Sequence, residues 1–121
     1  VHKPYQRTSR ISDLLQREIA VLIQREVKDP RLGKMITVSA VEISRDLSTA
    51  KIYITQLDTD KESVQATLKI LNHASGYLRS QLGQRIKLRV TPQLRFIYDE
   101  SVSHGAYLSG LMKNLNFPTD E

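Results

Sequence analysis

The sequence predicts an α+β domain in which helices pack on one face of a three-stranded sheet. Three observations predict it. An apolar stripe at helical spacing is followed by two β-branched stretches, two further helical stripes come next, and a third alternating stretch closes the pattern. The predicted order is α-β-β-α-bend-α-β plus a short C-terminal helix. With 121 residues, one domain over 1–121 is expected, its core from about 7 to 114.

Ile11, Leu14, Leu15, Ile19, Leu22, Ile23 and Val27 make the first stripe, with Thr8 or Ser9 as the start signal and Lys28-Asp29-Pro30 as the stop. At 100° per residue, Arg10, Arg17 and Lys28 fall within about 20° of one another beside that stripe, giving the helix a basic edge. Met35 to Ser44 and Thr49 to Gln56 read as a hairpin joined by the polar turn Arg45-Asp46-Leu47-Ser48. Ala50, Ile52 and Ile54 alternate with Lys51, Tyr53 and Thr55, as in a sheet with one buried face. In the first strand Ile36, Val38 and Ala40 give way to Val41 and Ile43, which predicts a bulge near Ala40.

Thr59 and Glu62 have capping-box spacing and predict a helix start. Val64, Leu68, Leu71 and Ala74 form one apolar face, and Leu78, Leu82 and Ile86 another. Between them Ala74-Ser75-Gly76 predicts a bend, since glycine costs about 1 kcal/mol in a helix relative to alanine. Leu94 to Tyr98 is a third strand after Pro92. Ser101 to Leu115 reads as the final helix, and Asn116 to Glu121 as a frayed acidic end.

Composition excludes several classes. The chain has no cysteine, so disulfides, thiolate-held metals and cysteine nucleophiles are excluded, which fits a reducing cytosol. No run of apolar residues is long enough to span a bilayer. His2, His73 and His104 lie far apart without partners at metal-ligand spacing, and no phosphate-binding or nucleophile-elbow motif occurs. Asp58, Asp60 and Glu62 resemble a metal loop, but the helical residues after them favour a solvated helix start. No catalytic residue, metal or cofactor is therefore expected.

The net charge is +5, and its distribution is uneven. Residues 63–98 carry Lys69, Arg79, Arg85, Lys87, Arg89 and Arg95 with no acid at all, so this stretch alone exceeds the excess of the whole chain. Such a tract suits phosphate contacts, or is simply a solvated basic surface. Arg79 and Arg85 flank the Leu78, Leu82, Ile86 stripe and can lie along the rim of the core as well as touch phosphate. Aromatic residues are few and tryptophan is absent, so base stacking is not the evident mode. Tyr77 beside the bend serves equally for packing or stacking.

The αββααβ order with a bend between two helices resembles the type II KH fold. The strings Glu26-Val-Lys-Asp-Pro-Arg-Leu-Gly33, Ser44-Arg-Asp-Leu47 with Ala50-Lys51 following, Ala74-Ser75-Gly76, and Pro92 with Phe96-Ile-Tyr-Asp99 resemble the bacterial ribosome-binding factor A family from about Arg7 to Asn114. That resemblance implies a cytoplasmic, monomeric, non-enzymatic assembly factor. It would bind the free small (30S) subunit and promote late maturation and 5′-end processing of 16S rRNA, including during cold adaptation. Small-subunit ribosomal proteins and a releasing GTPase are the further partners implied, and no membrane. KH domains commonly clamp single strands with a GxxG loop; none occurs here, and Ala74-Ser75-Gly76 matches the kink that replaces it in this family. Together with the charge pattern, the candidate rRNA-binding residues are Arg10, Arg17, Lys28, Arg45, Ser75, Gly76, Arg79, Arg85, Lys87 and Arg89. Two other classes compete: a generic KH-like RNA- or protein-binding module without ribosome specificity, and a small nuclease built on Asp58, Asp60 and Glu62.

Overall fold

A computed structural model describes residues 2–88 and 90–100, with side chains from Arg10 onward. Arg89, the helix expected over 101–115 and the end from Asn116 lie outside the described residues. The observed order is α1 (His2–Glu26), β1 (Thr37–Ile43), β2 (Thr49–Thr55), α2 (Lys61–His73), α3 (Ser75–Arg85) and β3 (Gln93–Tyr98).

Helix α1 buries Leu15, Ile19, Leu22 and Ile23, as its spacing predicts. It begins earlier than Thr8 or Ser9. Pro4 does not prevent this, because the first-turn N–H groups have no partner within the helix and proline's missing donor costs nothing there. The helix stops at Glu26, ahead of Asp29-Pro30, since a residue before proline is pushed out of helical conformation.

Strand β2 lies at the centre of the sheet, antiparallel to β1 and parallel to β3. Val38 faces Ile54, then the register shifts so that Val41 faces Ile52 and Ile43 faces Ala50. The extra residue is Ser39, at the place the change of apolar phase predicts. It lets an even and then an odd set of β1 residues meet the same inward row of β2. Ser39 Oγ donates to Asp99 Oδ2 at 2.6 Å, so the residue after β3 fastens the bulge. In the hairpin turn Leu47 has φ 63°, and Asp46 Oδ1 accepts from Ser44 Oγ, Ser48 Oγ and Ser48 N–H.

The cap of α2 differs from the Thr59–Glu62 box. Asp60 is the N-cap, and its carboxylate accepts the Ser63 N–H at 3.3 Å. Asp58 Oδ1 in turn accepts the Asp60 N–H at 3.0 Å, so two of the three supposed metal acids close the turn into the helix. The bend narrows to one residue, Ala74, at φ −87° and ψ 2°. Ser75 and Gly76 already belong to α3.

Three contacts leave no trace in the sequence pattern. Gly33 N–H donates to the buried Thr67 Oγ1 at 2.9 Å, and a Cβ at position 33 would overlap the buried side-chain amide of Gln56. At the outer edge of β3, Asn72 Nδ2 donates to the Phe96 carbonyl at 3.1 Å while its Oδ1 accepts the Phe96 N–H at 2.8 Å. On the outer edge of β1, Gln16 Nε2 donates to the Val38 carbonyl at 2.9 Å.

Because Asn72 satisfies a donor and an acceptor of one buried residue's backbone, Asn72→Ala is expected to lower unfolding stability by about 1–3 kcal/mol. Gln65→Ala, on the exposed side of the same helix, should change it by less than about 0.5 kcal/mol. Urea midpoints of the two variants check this.

Candidate nucleic-acid interface

Helix α3 runs antiparallel to α1 and is fastened to it at two points. Near the kink, Tyr77 Oη donates to Glu26 Oε1 at 2.8 Å; two turns further on, Arg85 Nε donates to Glu18 Oε1 at 2.6 Å. The phenol of Tyr77 is held above its ordinary pKa, chiefly by that bond to a carboxylate. The segment after α1 then folds over the outer side of α2, and a cleft of about 620 Å³ opens between them. Val27, Ala66, Ile70 and Ala74 supply apolar walls, while Lys28 and Lys69 stand on opposite sides. Neither lysine has an acidic partner among the described residues.

The segment carrying Lys28 is held in shape by a fork. Arg31 Nε and Nη2 donate to the two oxygens of Asp29 at 3.1 and 2.8 Å, and the Arg31 N–H adds a third bond at 2.9 Å. These donors hold the Asp29 carboxyl down at about 2, the side-chain bonds contributing most.

The residues selected from the sequence do not form one patch. Arg10 and Arg17 are exposed on α1, and Arg17 lines a separate groove against β1 with Asp13, Gln16 and Gln24. Lys28 lines the kink cleft instead: α1 ends at Glu26, so the helical projection that grouped Lys28 with Arg10 and Arg17 no longer applies to it. Arg45 is exposed at the tip of the hairpin, and Lys87 is exposed after α3 with no acidic partner among the described residues. Arg79 Nε donates to the Thr91 carbonyl at 3.0 Å and Arg85 to Glu18, so both have work within the fold. Arg89 falls outside the described residues.

Ser75 is half-buried and Gly76 exposed at the start of α3. Gly76 does not have positive φ, and among the described residues nothing lies within 4 Å of where its Cβ would be. The backbone therefore does not require glycine there; what remains is an open surface that something outside the chain can approach closely.

Sequence reasoning missed the cleft itself. Its two walls are about 40 residues apart in the chain, between Lys28 and Lys69. One signal was present: Ala66, Ile70 and Ala74 recur at every fourth position, a row running beside that of buried Thr67 and Leu71.

The helix order, the mixed sheet and the one-residue kink define a KH-like type II α+β domain. The sequence pattern of ribosome-binding factor A matches residues 7–112. The chain is 56% identical over 113 residues to ribosome-binding factor A of Stutzerimonas stutzeri, covering 92% of this chain and 87% of that one. It is 58% identical over 111 residues to that of Chromohalobacter salexigens, covering 91% and 84%. Among solved structures, the crystal structure of ribosome-binding factor A from Thermus thermophilus superposes with a TM-score of 0.63 at 30% identity, over 74% of this chain and 93% of that one. A second Thermus thermophilus ribosome-binding factor A, a homology model fitted into a cryo-EM map of a 30S complex, gives 0.61 at 30% identity over 74% and 91%. The chain belongs to the ribosome-binding factor A family.

The Asp29–Arg31 fork has a signature in acid. Asp29 should titrate with a midpoint of about 2 in the folded protein, against an ordinary 3.8. Because the folded value is the lower one, its contribution to stability is complete above about pH 4 and is lost as pH falls through 2. Carboxyl NMR shifts should show this, with Arg31→Gln moving the midpoint back toward 3.8.

Proposed function

We propose that this chain is an assembly factor that binds the free small ribosomal subunit through 16S rRNA. In this reading it supports late maturation and 5′-end processing of that rRNA, including in the cold, acts as a monomer in the cytoplasm and catalyses no step. The observation that carries the reading is family membership over nearly the whole chain, joined to a solved relative fitted into a 30S complex. The surface is compatible with it: exposed cations at Arg10, Arg17, Lys28, Arg45, Lys69 and Lys87 lie on several elements, which suits contact with a folded RNA at several places more than a four-nucleotide clamp. Ribosomal proteins bordering that contact and a GTPase that releases the factor complete the proposal.

Sedimentation with separated subunits and whole ribosomes tests it. The protein should travel with free small subunits, and equal recovery with large subunits would overturn the reading. If about four to six phosphates are neutralised, log affinity should fall with log salt at a slope of about −3 to −5. Lys87→Glu should weaken small-subunit binding and flatten that slope by about one, whereas Lys61→Glu, exposed at the start of α2, should do neither. Gly76→Val should weaken binding more than Ser80→Val, which puts the same side chain at another exposed position of α3, in proteins with matched melting curves.

A further inference from the structure

The kink cleft has a chemical character that general rRNA docking does not require. Its volume, about 620 Å³, falls within the range of small-ligand pockets. Its walls are apolar through Val27, Ala66, Ile70 and Ala74, yet Lys28 and Lys69 stand on either side without an acidic partner among the described residues. Arg31, the other nearby cation, is already held by Asp29. Tyr77 lines the same cleft, remains 53% exposed and is tethered through its hydroxyl to Glu26, so its ring is both accessible and fixed.

A ligand matching this needs a flat apolar part of modest size and a negative group joined to it. An RNA duplex does not offer that combination, because its bases are stacked and paired and only its backbone is presented. A wholly apolar peptide would leave both ammonium groups unmatched. A nucleotide turned out of its stack has a base for the ring and walls and a phosphate for the lysines.

We infer that the cleft between the Glu26–Arg31 segment and α2 receives one unstacked nucleotide of a single-stranded RNA segment, its base against Tyr77 and the apolar walls and its phosphate held by Lys28 and Lys69. This deepens the proposed function and rests on its RNA-binding reading. It also gives Ala66 a role: a small residue on that face leaves room for the base. The kink contributes by placing Tyr77 in the first turn of α3, within reach of Glu26 on the opposite wall.

The test uses a six-nucleotide RNA of mixed sequence, as a single strand and as a blunt duplex, titrated into the isotope-labelled protein. The single strand should shift the backbone amides of Ala66, Lys69, Ile70, His73 and Tyr77, and the duplex should not. Ala66→Leu, which fills the cleft, and Tyr77→Leu, which removes the ring, should each weaken single-strand binding by about tenfold, while Tyr77→Phe should retain most of it. Lys28→Gln combined with Lys69→Gln should flatten the salt slope by about one to two. Melting curves establish that each variant is folded. Shifts that fall elsewhere, equal shifts with duplex, or Ala66→Leu binding as well as the parent would overturn the inference. So would occupation of the cleft by an acidic, apolar peptide that the single strand cannot displace. Small-subunit sedimentation run in parallel separates the two readings. If the parent protein travels with small subunits but the single strand leaves the cleft untouched, the assembly-factor reading stands and this inference falls. If the cleft responds while subunit binding fails, the reverse holds.

Discussion

The inward row of the central strand, Ala50, Ile52 and Ile54, is completely buried, and the rest of the domain is arranged to keep it so. The described helices pack on one side of the sheet, so each strand must turn its buried apolar residues to that side, while Tyr53 and Ile97, paired across β2 and β3, fall on the other face. For β2 and β3 simple alternation is enough. For β1 it is not, and the bulge at Ser39 brings Val38, Val41 and Ile43 onto a common side. Helices α1 and α3 cover the row from above, and their two side-chain links, Tyr77 to Glu26 and Arg85 to Glu18, hold them antiparallel across it.

The elements that follow a repeating rule are legible in the sequence. Helical spacing places Leu15, Ile19, Leu22, Ile23, Leu71, Leu78 and Leu82 in the core, and alternation does the same for Ala50, Ile52, Ile54, Leu94 and Phe96. The bulge is legible too, because a change of phase in the apolar pattern has one cheap structural solution. Local chemistry is harder to read. Thr59 and Asp60 are both good caps, and which one stops the backbone depends on how the chain arrives from β2, where Gln56 Nε2 holds the Asp58 carbonyl at 2.7 Å and Ser63 Oγ at 2.9 Å. Helix α1 starts ahead of Thr8 and Ser9 because a good capping residue does not oblige a helix to begin there, and the first turn tolerates Pro4.

For the candidate site, the kink is visible in Ala74-Ser75-Gly76, while the grouping of the cations is not. A charge count along the chain treats Lys69, Arg79, Arg85 and Lys87 alike. The folded chain does not: Arg85 and Arg79 bind Glu18 and the Thr91 carbonyl, Lys69 turns to the kink cleft, and Lys87 stays exposed beyond the far end of α3. The place of Arg85 beside an apolar stripe is the one sequence feature that separates it from a free surface cation. The meeting of Lys28 with Lys69 depends on a loop crossing a helix, for which one sequence carries no periodic trace.

The amides on the outer strands bear on how copies of this protein treat one another. A strand with one free side is a template on which a second chain can extend the sheet, and natural proteins obstruct it. Gln16 occupies a carbonyl of β1 two residues before the partner of Tyr53, next to the bulge, and Asn72 occupies both polar groups of Phe96 in the middle of β3. An approaching strand would have to displace an amide that is already well bonded before it could form a continuous ladder. In a crowded cell, and while the chain is still folding, those two side chains work against sheet-to-sheet aggregation as a charged residue would, without placing a charge against the core.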